Sequence, residues 1–539
     1  VNILNKEKYH IWILLGLCLI LFFWNINIIP LTDGDSAFYA KIAKNIVQSG
    51  DWITMHYGDE GTIVNKPPLM MWMTAASFKL FGFNDFAVSF WHSIFALLIV
   101  IFSYKLAKEL YDSKTAFISS LILITASQFF YQARSPLQDV PLTLFMLLSI
   151  YCFVLYEKRN DLLYFYLSPI FIALAVLTKG PVGLVLPALI ILIYVLINKI
   201  KLPSIRHILL AILLFSAVAL PWFIIEYKIL GQPFLDTFIG SNIGRYLKPI
   251  DTIGNESAKY SAIKPQYDFY SYFLQILLLF LPWSGFLYPA LYYSYNKKEN
   301  NLAMIFAATV FIFFSLSLNY KISRYILPAF PALSILVGKM ISDLLFHNDK
   351  QAKKLVKLSA WITLTVILIP VCVLSLFYAY VAFSSMSGVI TLIFIPFISV
   401  FMLSILVGYL AAILGHLKQS FILLVVLTVI SYLLLINGLS GHYMKMNPIS
   451  KFCEQMNNMA KPSDIACQYM GTDAHFMIYY SNLDVKFIRD EQEMKRLLSS
   501  ANKVYCVSGD RTAYNLLKKS LGERIKVIED SDYFTFFSN

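Results

Sequence analysis

Apolar runs, most of them near twenty residues long, alternate with short polar connections along most of this chain. They fall at about 11–31, 86–105, 115–131, 136–156, 161–178, 181–198, 207–230, 269–293, 302–319, 323–345, 357–383, 387–414 and 419–440. A helix crosses a bilayer with about 20 apolar residues, because lipid forces each segment to satisfy its own backbone polar groups. Barrel strands would instead show short alternating runs. The pattern predicts an α-helical polytopic membrane protein with about 13 transmembrane helices. Its least defined boundary lies within 161–198, where Lys179-Gly180-Pro181 separates two short runs.

Two loops and a tail depart from this rhythm. In the loop 32–85, Phe38, Ile42 and Ile46 share one helical face over 35–48 while Lys41, Lys44 and Gln48 lie elsewhere. That spacing predicts an amphipathic helix lying in the membrane interface. A second helix is expected over 68–81, opened by Pro68. The loop 231–268 is also long. The tail alternates β-like runs (465–469, 485–488, 503–507, 525–528) with helix-like runs (474–480, 491–499, 511–521). It reads as a small α/β domain, an external lid or scaffold without a Gly-rich dinucleotide fingerprint. The expected domains are therefore 1–440 in the membrane and 441–539 outside it.

Composition agrees with a membrane protein: 58% hydrophobic and 14% charged residues, against roughly 25% charged in soluble domains. The net charge of +12 does not signal nucleic acid, because the lysines punctuate the ends of apolar runs. Lys6/Lys8, Lys105/Lys108/Lys114, Lys158/Arg159, Lys199/Lys201/Arg206, Lys297/Lys298, Lys350/Lys353/Lys354/Lys357 and Lys418 occupy alternate loops. The positive-inside rule makes that side cytoplasmic. An odd span count then puts the tail on the opposite face. The N-terminal run lacks a small-residue cleavage site and reads as an uncleaved span. Cys18, Cys152 and Cys372 lie in apolar runs, whereas Cys453, Cys467 and Cys506 lie in the tail with no zinc-type spacing. A Cys467–Cys506 bridge is an open alternative.

The non-cytoplasmic loops collect ionisable groups at span ends: Asp33 and Asp35, Lys66, Arg134 and Asp139, Lys179, Arg245, Lys321 and Arg324. Snorkelling or plain solvation accounts equally well for Lys66, Arg134 or Lys179 taken singly. Asp139 is different, since a short carboxylate inside an apolar run needs a partner or a cavity. Together the cations suit a phosphate and the aspartates suit a general base. This is the inventory for moving a group off a lipid phosphate.

Those residues stand in an ordered set that resembles the bacterial branch of the protein-mannosyltransferase-like, C-type membrane glycosyltransferases, which includes the lipid A aminoarabinose transferases. The set comprises Asp35-Ser-Ala-Phe-Tyr39-Ala40, Gln48-Ser-Gly-Asp-Trp52, Lys66-Pro67-Pro68-Leu69, Leu137-Gln-Asp139, the Thr-Lys-Gly-Pro segment with Lys179, and Tyr325-Ile-Leu-Pro328 preceded by Lys321. The resemblance covers the membrane part and the outer tail. It implies a polyprenyl-phosphate sugar donor, undecaprenyl phosphate in bacteria, and inversion at the anomeric carbon. It also implies an acceptor outside the inner membrane, either lipid A or a related glycolipid. By carry-over, Asp35 and Asp139 are catalytic. Lys66 and Tyr325 bind the donor phosphate, with Arg245, Arg324 and Lys321 as further candidates. Tyr39, Lys179 and Arg134 are candidate substrate contacts.

Three positions depart from the aminoarabinose branch. Its Glu before Lys-Pro-Pro is Asn65, its upstream His is Asn242, and its Arg before Tyr39 is Phe38. The first two contribute to a metal site in that branch, and neutral amides are poor zinc ligands, so no cofactor is assigned and a divalent metal stays an open alternative. The expected partners are the lipid-linked donor, a glycolipid or protein acceptor and the membrane, with no nucleic acid and a monomeric chain. The alternatives are a protein O-mannosyltransferase-like enzyme acting on Ser/Thr, a flippase for lipid-linked sugar, and a surface-glycan polymerase or ligase. A flippase needs polar groups through the midplane, whereas these charges gather at one interface.

Overall fold

The fold is described from a computed structural model of the chain, over residues 6–27, 31, 34–57, 62–63, 65–244, 268–297, 301–317, 321–368, 388–446, 448–470, 474–500, 502–531 and 534–539. Among these residues seven helices are long and apolar enough to cross a membrane, and nine if each of two bent pairs counts as one span. The membrane part opens with α1 (His10–Cys18), continued by a π-helical turn over Leu19–Phe23. Next come α2 (Gly34–Ser49) and α3 (Leu69–Phe81), where the amphipathic pattern and the proline placed them. They are followed by α4 (Asp85–Leu110), α5 (Ser113–Thr125), α6 (Ser127–Ala133), α7 (Asp139–Arg159), α8 (Leu162–Lys179), α9 (Val182–Asn198), α10 (Ile205–Leu230) and α11 (Gln232–Ile239). The second half holds α12 (Ser271–Leu279), α13 (Ser284–Lys297), α14 (Leu302–Leu316), a 3-10 turn over Ser323–Ala329, α15 (Phe330–His347), α16 (Lys350–Ile362), α17 (Gly388–Ile413) and α18 (Leu417–Met446). The last of these runs past the expected boundary at 440.

Two expected spans are broken. The run 115–131 splits into α5 and α6, bent by 70°, and the run 269–293 splits into α12 and α13, bent by 118°. Pro282 supplies the second break, since it has no N–H to continue a helix. At the first, Ala126 is extended (φ −68°, ψ 126°). The two breaks satisfy each other. Ser127 N donates to Leu281 O at 2.9 Å, Trp283 Nε1 to Thr125 Oγ1 at 2.8 Å and Tyr432 Oη to Thr125 O at 2.9 Å. Tyr409 Oη donates to Pro282 O at 2.8 Å. Broken helices persist at membrane depth where protein groups take up the freed carbonyls in this way.

The unclear run 161–198 is two helices, α8 and α9, turned at Gly180 with φ +73°, a conformation that favours glycine. Elsewhere the bundle is close-packed. A Cβ on Gly338 of α15 would lie 2.1 Å from Ser119 Oγ and 2.8 Å from Ser119 Cα of α5.

After α19 (Ile449–Met459) the tail forms β1 (Ile465–Tyr469), α20 (Ala474–Tyr480), β2 (Val485–Ile488), α21 (Glu491–Leu498), β3 (Val504–Ser508), α22 (Arg511–Leu521), β4 (Lys526–Asp530) and β5 (Thr535–Ser538). The strand order is β2-β1-β3-β5-β4. The first three strands are parallel, and β5 pairs antiparallel with β3 and β4. The sequence reading missed β5. Cys467 and Cys506 face each other across β1 and β3 as buried free thiols, not a bridge.

Candidate active site

Four segments far apart in sequence deliver charged side chains to one point. Asp35 is the second residue of α2, Asp139 the first residue of α7, Lys179 the last of α8, and Arg324 lies in the 3-10 turn before α15. Arg324 joins the two carboxylates. Its Nη2 lies 2.5 Å from Asp35 Oδ2 and its Nε 3.6 Å from Asp139 Oδ2. Lys179 Nζ donates to Asp139 Oδ1 and sits 4.5 Å from the centroid of the Tyr325 ring. Tyr39, one turn along α2 from Asp35, stands in the same field. Burial and the Asp35 charge hold its phenol well above the usual tyrosine value.

Exposure separates the two acids. The Asp139 side chain is 3% exposed, whereas that of Asp35 is 47% exposed. Asp139 is therefore a buried anion held by two cations, an arrangement that is strongly destabilised when one partner is removed. Asp35 is the accessible carboxylate of the pair. Its position near the start of a helix also favours negative charge.

Lys66 is partly buried in the bend just before α3. The bend is fixed from α11 and its continuation: Asn242 Nδ2 donates to Asn65 O and to Phe238 O, both at 2.9 Å. The two positions that differ from the metal-binding branch are thus neighbours, meeting amide to carbonyl. Asn65 Oδ1 is buried without a hydrogen-bond partner among the described residues. No group of three His, Cys, Asp or Glu residues is close enough among the described residues to hold a metal ion. Carboxamides in this arrangement do not fit zinc.

Two sequence candidates are engaged elsewhere. Lys321 turns back on α14, donating to Phe314 O at 3.0 Å, Ser315 O at 2.9 Å and Ser317 O. Arg134 donates to Leu21 O and Trp24 O, both at 2.9 Å, closing the end of the first span. Each satisfies carbonyls that a helix end leaves open. Arg245 and Asp33 lie outside the described residues.

The Trp52 motif has a local task. Asp51 Oδ1 accepts from Ile53 N at 2.9 Å and Thr54 N at 3.0 Å, and Trp72 Nε1 of α3 donates to Trp52 O at 2.5 Å. Sequence reasoning missed the tail's contribution. Phe38, on α2, packs 4.6 Å from Tyr57 and 5.4 Å from His475 of α20 between ring centroids. Tyr57 Oη lies 2.5 Å from His475 Nδ1. Phe38 was the visible signal, an apolar residue where the resembled branch has arginine.

Comparison with known proteins bears on the family and the fold. Residues 65–225 match the family model described as dolichyl-phosphate-mannose-protein mannosyltransferase. An uncharacterized protein of Aquifex aeolicus (strain VF5) is 32% identical over 384 residues, covering 70% of this chain and 72% of that protein. The undecaprenyl phosphate-alpha-4-amino-4-deoxy-L-arabinose arabinosyl transferase of Wigglesworthia glossinidia brevipalpis is 27% identical over 373 residues, covering 67% of this chain but only 62% of that enzyme. Among solved structures, ArnT from Cupriavidus metallidurans bound to undecaprenyl phosphate shares the fold with a TM-score of 0.73 over 98% of this chain and 97% of that one, at 20% identity. The chain belongs to the protein-mannosyltransferase- and ArnT-like family of C-type membrane glycosyltransferases.

Proposed function

We propose that the protein is an inverting glycosyltransferase that moves one sugar from undecaprenyl phosphate to lipid A or a related glycolipid on the periplasmic face of the bacterial inner membrane. The observation that carries this reading is Arg324 shared between an exposed and a buried aspartate. The transferases among the relatives, named for an undecaprenyl-phosphate-linked sugar, support the donor class. The lysine asymmetry supports thirteen spans, with the cluster and the tail outside.

In the proposed step an acceptor oxygen attacks the anomeric carbon as the bond from that carbon to the phosphate oxygen breaks. The electron pair of the broken bond stays on the polyprenyl phosphate, whose charge rises from one to two. Lys66 is the cation proposed to meet that charge, with Tyr325 beside Lys179 as the hydroxyl donor. The acceptor proton passes to Asp35. Arg324 and Lys179 hold Asp139 in place. The step uses no metal, in keeping with the carboxamides at Asn65 and Asn242.

The test compares lipid A and surface glycans by mass spectrometry in cells with the wild type, with Asp35→Asn and without the protein. Loss of one glycose in both deficient strains is expected, with transfer by purified Asp35→Asn lowered roughly 100- to 10,000-fold. Full restoration by Asp35→Asn would overturn the catalytic assignment. Elemental analysis of the purified protein checks the metal reading. One equivalent of metal that disappears in Asn242→Ala would overturn it. The family match over residues 65–225 favours one second reading, transfer to Ser/Thr hydroxyls of a protein, which glycoproteomics of the same strains would reveal.

A further inference from the structure

The far end of α2 walls a second hollow. Lys44 and Gln48 stand about 14 Å and about 20 Å along the helix from Asp35, at 1.5 Å per residue. With α19, α20 and the turn before α4 they enclose a cleft of 760 Å³. Carboxamides dominate its lining. Some of them build the walls. Asn457 Nδ2 donates to Tyr480 O at 2.9 Å while its Oδ1 accepts from Asn482 N at 2.8 Å, and Asn84 caps α4. Others are spare: Asn27, Gln48 and Asn458 are exposed. Beside them lie the half-exposed ring of Phe83 and the buried ring of Tyr479.

The charges in the cleft cancel, Lys44 and Lys451 against Asp85 and Glu454. Three of the four are already engaged. Lys451 pairs with Glu529 at 2.5 Å, Asp85 accepts from Tyr480 Oη at 3.0 Å, and Lys44 Nζ lies 3.4 Å from Tyr479 O and Asn482 Oδ1. Such a cleft has no excess charge with which to recruit a phosphate. It offers amides that donate and accept at once, as sugar hydroxyls do, together with the half-exposed ring of Phe83 for the apolar side of a sugar ring.

We infer that this cleft is a saccharide subsite, taking uncharged sugar units of the glycolipid acceptor at a distance from the point of attack. The inference rests on the glycosyltransferase reading above. The separation from Asp35 exceeds what the single sugar on the donor spans. Asn27 lies in the turn that follows the π-helical end of the first helix and Asp85 begins α4, so the cleft opens where two apolar helices end, the level at which a lipid-anchored saccharide emerges from a bilayer.

The experiment uses full-length protein in detergent with two probes, lipopolysaccharide whose core carries uncharged hexoses and the same material trimmed to lipid A. The wild type is expected to bind the sugar-bearing form about ten-fold more tightly, about 1.4 kcal/mol. Gln48→Ala with Asn458→Ala is expected to abolish that preference, and Asn458→Gln to keep it. Competition by the free core oligosaccharide would support recognition of the sugar itself rather than its lipid. Equal binding of both forms by a wild type that still transfers sugar, or a preference that survives the double substitution, would overturn the subsite alone. A wild type that transfers sugar to neither form overturns the underlying reading instead.

Discussion

An arginine that serves two carboxylates cannot become a lysine without abandoning one of them. The Arg324 guanidinium reaches Asp35 through Nη2 and Asp139 through Nε, and a single ammonium has no second arm at that spacing. Arg324→Lys should therefore lower kcat/KM roughly 100-fold, the scale expected when a reacting group is displaced by about an ångström. Its value should lie nearer that of Arg324→Ala than that of the wild type in initial-rate assays. At this scale the sequence was partly legible. Asp139 announced itself, because a carboxylate inside an apolar run needs partners. Lys179 and Arg324 were visible as cations, but nothing in their spacing said that both would converge on Asp139. Lys321 and Arg134 show the opposite limit. A long cation beside a helix end can cap that end or face a substrate, and composition does not distinguish the two.

Helices read well from periodicity where nothing interrupts them, as in α2, α7 and α15. The breaks read less well. Pro282 was a signal for the bend between α12 and α13, whereas Ala126 carries none. The α5–α6 bend is imposed by tertiary partners, namely the tyrosine and tryptophan side chains that take up its freed groups. The α5–α15 contact is equally tertiary, and only Gly338 hints at it. A methyl group there would press on the backbone of Ser119, and forced overpacking costs about 1–3 kcal/mol. Gly338→Ala should lower the thermal midpoint of the detergent-solubilised protein in fluorescence-detected unfolding. Unchanged stability would mean that α5 and α15 separate readily.

Across the molecule, the tail is a working neighbour of the site and not a remote appendage. It meets α2 through His475, Tyr479 and Asn482, and Tyr480 accepts from Leu31 N at 3.2 Å while donating to Asp85. Lys44 makes this docking sensitive to pH. Burial lowers its folded-state pKa to about 8, against about 10.4 in an unfolded chain. Between those values the unfolded state binds more protons, so this contribution to stability rises with pH. The thermal midpoint of the wild type should climb between about pH 8 and about pH 10 relative to Lys44→Met, which lacks the titrating group. Parallel profiles would exclude Lys44 as the source. The sequence foretold an α/β tail but not this docking, because contacts between residues 38 and 475 leave no periodic trace.

The pairing of Asp139 with Lys179 also bears on how the chain is made. Asp139 begins α7 and Lys179 ends α8, the helix packed against it, so the two charges lie at the same end of a hairpin. During synthesis α7 emerges first, carrying an acid whose burial near the membrane costs a few kcal/mol on insertion scales. The lysine that neutralises it follows one helix later, long before Arg324 is made. The two helices are thus suited to leave the insertion machinery together as a charge-matched pair. A residue pair at the heart of the candidate site would then also set the unit in which the protein enters the bilayer.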